Sequence, residues 1–170
     1  YPQPFDVIET ADADAKSCLT THQSESFCLG TATREYGGQS DVLMAHYHRE
    51  GADRPGVLYT RYLLDDKWLG DFYHATDRTK SRNLMDEGQF RGVQSGSRAI
   101  GLFTPQRLST LNSAKACLIF TQHEYIDEIW VGDQCITDLP VEVPTDTTIV
   151  IGSGDAYFAI SSFCSKMAKN

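Results

Sequence analysis

The chain of 170 residues is predicted to be all-β, an antiparallel β-sandwich with one long ordered loop region, on three observations. Short runs rich in β-branched and aromatic residues recur along it, and Gly, Asp, Ser and Pro clusters separate them at short intervals. No stretch of about 12 residues or more carries the apolar period of an amphipathic helix. At this length one domain over 1–170 is expected, able to bury roughly 70% of the surface of its unfolded chain without staples.

In chain order, strands are predicted at Ala15 to Thr21, Ser26 to Arg34 and Asp41 to Arg49, with Tyr36-Gly37-Gly38-Gln39 turning between the last two. Val57 to Leu64 (VLYTRYLL) follows and stops at Asp65-Asp66. From Lys67 to Gln94 single aromatics mix with charges at neither period two nor period 3.6, so this segment is read as a long loop or as two short strands joined by ordered loops. Loops beyond about 12 to 15 residues are uncommon in compact domains and tend to serve function. Ser97 to Thr104 ends at Pro105, and Ala114 to Thr121 follows a polar connector with room for one helical turn. Glu128 to Val131 and Gln134 to Thr137 flank Gly132-Asp133, a pair suited to a tight hairpin. Thr147 to Ile151 and Ala156 to Ile160 flank the turn sequence Gly152-Ser153-Gly154-Asp155.

Charge is unevenly distributed. Arg61 to Arg107 holds eight basic residues against six acidic, whereas the rest of the chain holds seven against seventeen. The same stretch carries Tyr62, Trp68, Phe72, Tyr73, His74, Phe90 and Phe103, so aromatic faces lie near guanidinium forks, a combination suited to an anionic or sugar-like ligand. A net charge of −8 argues against general affinity for nucleic acid, which needs an extended basic surface. The longest apolar run, Ala116 to Phe120, is far short of the about 20 residues of a membrane span.

Five cysteines, Cys18, Cys28, Cys117, Cys135 and Cys164, are scattered and never spaced as CxxC, which suits small buried hydrophobes better than a zinc knuckle. One disulfide, for instance Cys18 to Cys28 across a hairpin, is compatible with the spacing. The start at Tyr1 without Met or a signal-peptide pattern suggests a processed chain or a part of a longer one.

Three clusters carry candidate chemistry. His46-Tyr47-His48 sets two imidazoles on one face of a strand, where a third ligand such as Asp65, Asp66, His74 or Asp77 would complete a Zn²⁺ site. Two histidines on the polar face of a half-exposed strand give the same spacing. Asp71 to Arg78 is the densest run of titratable groups. Tyr73 and His74, with His46, are the candidate bases, and Arg78 the cation that holds an acid group. Trp68, Arg82, Arg91 and Arg98 are the candidate ligand-binding residues around it. Asp86-Glu87 reads as a turn, since adjacent carboxylates on an extended chain point to opposite faces. Gly37-Gly38 and Gly152-Ser153-Gly154 read as turns too, because no helix start follows either. GxSxG, P-loop, HExxH and dinucleotide fingerprints do not occur.

Ser26-Phe27-Cys28-Leu29-Gly30-Thr31, Gly38-Gln39, the strand through His46-Tyr47-His48, Arg98 to Pro105 and Asp127 to Asp133 together resemble the β-sheet portions of heparinase II/III-like proteins. In that family a helical toroid precedes the β-domains, and the cleft between them performs β-elimination on uronic-acid polysaccharides. The resemblance implies a carbohydrate-active β-domain, accessory or cleft-forming, that binds an acidic saccharide, in an extracellular or periplasmic setting and beside a partner domain or subunit. His46-Tyr47-His48 is followed by Arg49-Glu50 rather than by the aspartate of an HxHxD phrase, so no catalytic residue transfers from the family. Two other expectations stand beside this one. One is a stand-alone isomerase or cyclase with an apolar pocket, in which His46, His48, Tyr73 or His74 moves protons on a small molecule. The other is a non-catalytic assembly domain.

Overall fold

The computed structural model describes residues 3–12, 17–33, 43–68, 90–103 and 111–163. Thirteen strands are found among them, all paired antiparallel. The first sheet takes β1 (Phe5–Asp12), β2 (Ser17–Gln23), β3 (Phe27–Ala32), β4 (Leu43–Tyr47) and β5 (Gly56–Leu64) in chain order. Beyond them, β5 pairs with the two-residue β6 (Lys67–Trp68) and, over Leu58 to Leu64, with β9 (Ala114–Phe120). The second sheet runs β11 (Gln134–Cys135), β10 (Glu128–Val131), β12 (Thr148–Ser153), β13 (Ala156–Ser161). A separate ribbon joins β7 (Phe90–Ser95) to β8 (Arg98–Phe103). One 3-10 turn, His123–Tyr125, links β9 to β10.

Turn chemistry fixes the short connections. Asp65 and Asp66 both take positive φ, as a two-residue turn of type I′ requires, and their hairpin returns Lys67 opposite Leu64. Gly132 and Gly154 take positive φ at the first turn position, the type II′ pattern in which a Cβ would be strained. The second hairpin is tighter than its sequence suggests: Gly152 and Ser153 belong to β12, and only Gly154-Asp155 turn.

The two sheets pack face to face. Ala45, Tyr47 and Leu58 of the first are buried against Ile129, Ile151 and Ala156 of the second, with Phe27, Leu29, Phe120, Phe158 and Ile160 packed around them. Phe158 meets both Phe27 and Tyr47 edge-on, at centroid distances of 5.8 and 6.1 Å, the arrangement that aromatic quadrupoles favour. The Tyr47 ring lies directly over Gly56, its cross-strand partner, where a Cβ would fall inside the ring. Its hydroxyl donates to the carbonyl of Thr121, and burial pushes its pKa up to about 12. The ribbon sits over β3, where Gln94 Nε2 donates to Leu29 O at 2.9 Å and the Gly92 N–H reaches Thr33 O at 3.4 Å.

Strands at β2 to β5 and β8 to β13 fall where the sequence predicts them, with ends shifted by at most two residues. β1 was not anticipated, because Phe5–Asp12 interleaves Asp6, Glu9 and Asp12 with its apolar residues. β6 and β7 bear out two short strands between Lys67 and Gln94, while residues 69–89 lie outside the described set, as do most of the connector 105–113 and the turns expected at Gly37-Gly38 and Asp86-Glu87. Cys18 and Cys28 are not bridged. In the β2–β3 ladder Cys28 stands opposite Gln23 and Cys18 bonds back to Thr33, so the two thiols sit at opposite ends of the pair. Among the described residues no helix is long and apolar enough to cross a membrane.

Candidate ligand-binding site

Among the described residues, those singled out from the sequence form no single site. Tyr73, His74, Asp77, Arg78 and Arg82 lie outside the described residues, and of Trp68 only the backbone of β6 is described. His46 and His48 are both exposed on the side of β4 away from the core, as the strand period requires, and His46 Nε2 lies 3.4 Å from Met44 Sδ. Asp65 does not join them. His46 pairs with Val57 near the start of β5, whereas Asp65 follows its last residue, about 25 Å away at roughly 3.3 Å per residue. The Asp65 carboxylate instead accepts the backbone N–H groups of Asn112 and Ser113 at 2.8 and 2.9 Å. Asp66 shares that distant turn. The three-ligand Zn²⁺ site of His46, His48 and Asp65 is therefore not assembled, and among the described residues no group of three metal-ligating side chains occurs.

Arg91 and Arg98 do share a surface. Arg91 stands opposite Leu102 and Arg98 opposite Ser95, and directly opposed residues of an antiparallel pair project to one side. That side of the ribbon also carries Val93, Ile100 and Leu102, all well exposed.

A second surface, not signalled by the sequence clusters, lies on the outer face of the second sheet. In β10, Ile129 points into the core and so Glu128 and Trp130 point out. In β13, Phe158 and Ile160 point in and so Tyr157 points out. The register then aligns Glu128, Gly152 and Tyr157 in one row across three strands, with Trp130 and Val150 in the next. Gly152 lets this row close: an added Cβ would stand 2.9 Å from Tyr157 Cε1 and 3.0 Å from Glu128 Cγ, so both side chains fold over the glycine backbone. Trp130 Nε1 donates to Glu128 Oε2 at 2.6 Å. The Tyr157 hydroxyl is turned to the same carboxylate, whose charge and hydrogen bonding raise its pKa. Two aromatic side chains, 37% and 60% exposed, thus flank one carboxylate.

The row is braced from below. Asp127 accepts the Gly154 N–H at 2.8 Å and Arg49 Nη1 at 2.6 Å, while Arg49 also donates to Tyr125 O at 2.8 Å. These bonds lower the Asp127 pKa, the Gly154 N–H more than Arg49, and tie the β12–β13 hairpin to the end of β4. The sequence did hold a signal for this surface. Glu128-Ile129-Trp130-Val131 and Tyr157-Phe158-Ala159-Ile160 each place a large aromatic at the outward phase of an alternating strand.

Comparison with protein-family models, with curated proteins and with solved structures finds no match.

Proposed function

We propose that this chain is a carbohydrate-binding β-domain that serves as an accessory to a larger carbohydrate-active protein, and that the Trp130–Glu128–Tyr157 face is its ligand surface. The observation that carries this reading is the exposure of two aromatic rings around a carboxylate held in place by Trp130. Sugar rings stack on aromatic faces through their C–H surfaces, and a carboxylate accepts from neighbouring hydroxyls. A rigid sheet gives both groups a fixed spacing.

The test is calorimetric titration of the folded protein with neutral, amino and uronic-acid oligosaccharides. Binding of at least one class is expected, weakened about tenfold by Trp130→Ala, the loss of roughly 1.4 kcal/mol of stacking and contact. Failure of every class to bind overturns the reading.

A second reading is favoured by the shared face of Arg91 and Arg98: an acidic saccharide held by these arginines, with Trp68 and Arg82 as further candidates. It is supported if uronic-acid oligosaccharides bind and Arg98→Ala, rather than Trp130→Ala, removes them.

A further inference from the structure

The Trp130–Glu128 pair has a one-sided hydrogen-bonding inventory. The single N–H of Trp130 is already given to Glu128, so the indole offers a ligand only its ring. The Tyr157 hydroxyl is turned to the same carboxylate. A carboxylate has about four acceptor positions, and Trp130 occupies one. What Glu128 leaves for a ligand is acceptor positions, and the two rings add their π faces.

The charge around the site has one sign. Glu128 leads the charges that act on Tyr157, followed by Asp127 and Asp155. Asp127 is paired with Arg49, whereas among the described residues no Lys, Arg or His forms an ion pair with Glu128. A second negative group beside Glu128 would be repelled, more strongly at a protein surface than in bulk water, so a uronate is disfavoured here. A neutral sugar stacks and donates hydroxyls. A sugar with an ammonium group adds three charged donors, a counter-ion for Glu128 and attraction to the ring faces.

We propose that the ligand of this face is an amino sugar with a free ammonium group, or a polymer of one, its ring on Trp130 or Tyr157 and its ammonium on the Glu128 carboxylate. This rests on the reading that the face binds saccharides. It names the class: cationic ahead of N-acetylated, and both ahead of uronic.

The deciding experiment titrates the full chain with glucosamine oligomers and N-acetylated oligomers of equal length, at a pH where the amine is charged and at about 0.1 M and 1 M salt, where the screening lengths are roughly 10 and 3 Å. The amine form is expected to bind about tenfold more tightly at low salt, with the gap narrowing at high salt. Glu128→Gln keeps an oxygen for Trp130 and is expected to fold as the parent, which circular dichroism checks, and to bring the amine form to the level of the acetylated one. Equal binding of the two oligomers by the parent chain, or a preference that survives Glu128→Gln, overturns the ammonium assignment and leaves the saccharide face standing. Absence of binding by both oligomers and by the neutral panel overturns the face itself.

Discussion

The two sides of the second sheet, at β10, β12 and β13, are built from the same strands and differ in what they present. Its inner side presents Ile129, Ile149, Ile151, Phe158 and Ile160 to the first sheet, residues with no polar atoms that gain by leaving water. Its outer side presents Trp130 and Tyr157, the largest aromatic types, to solvent. The comparison teaches that residue size alone does not mark a core. Stability and binding should separate cleanly along the sheet, and substitutions on the two sides can show whether they do.

Ile151→Ala should have the largest effect. The side chain is 2% exposed at the centre of the core, and its truncation is expected to cost about 3 kcal/mol, seen as a fall in Tm of roughly 6–12 °C. Gly56→Ala is next, at about 2–3 kcal/mol, since its methyl group can enter only by displacing the Tyr47 ring. Denaturant titration of either variant with less than about 1 kcal/mol lost would mean that the sheets pack more loosely than described. Tyr47→Phe keeps the ring and removes the donor to Thr121, for an expected loss of about 1 kcal/mol.

The Asp127 brace is exposed, and its contribution is read through pH. Its folded pKa lies below the ordinary carboxylate value of 3.8, so its stabilisation is present above that value and is lost as pH falls through the lowered one. Urea midpoints measured from pH 5 downward should fall less steeply for Asp127→Asn than for the parent chain. Equal slopes would remove the brace from the account. Trp130→Ala should have the smallest effect on stability, within about 0.5 kcal/mol, although it removes most ligand binding. A loss matching that of Ile151→Ala would make the outer side structural and erase the contrast.

Much of this architecture was legible because its signals are local. Gly132-Asp133 between two β-branched runs predicts its hairpin without tertiary knowledge, and the β-branched and aromatic runs on either side of Gly152 to Asp155 predict two strands. β1 escaped because its acidic residues interrupt both periods, and pairing with β2 supplies what propensity does not. The Trp130–Tyr157 face escaped for another reason. Glu128 and Tyr157 are far apart in sequence, and only the register through Gly152 sets them in one row. The His46 and Asp65 expectation failed on distance, since a loop long enough to return to a strand says nothing of which end it reaches.

The pairing of β5 with β9 has a consequence for how the chain can diverge. Leu64 and Ala114 stand directly opposite each other although residues 65–113 separate them, and the β7–β8 ribbon belongs to that excursion. The entropy of closing a flexible excursion grows only with the logarithm of its length, about 0.6 kcal/mol for each doubling. Added length on either side of the β7–β8 ribbon is therefore cheap for the frame, provided that β9 still returns to β5 and the ribbon keeps its bonds to β3. The two-sheet frame can carry longer inserts there while the outer face of the second sheet stays as it is.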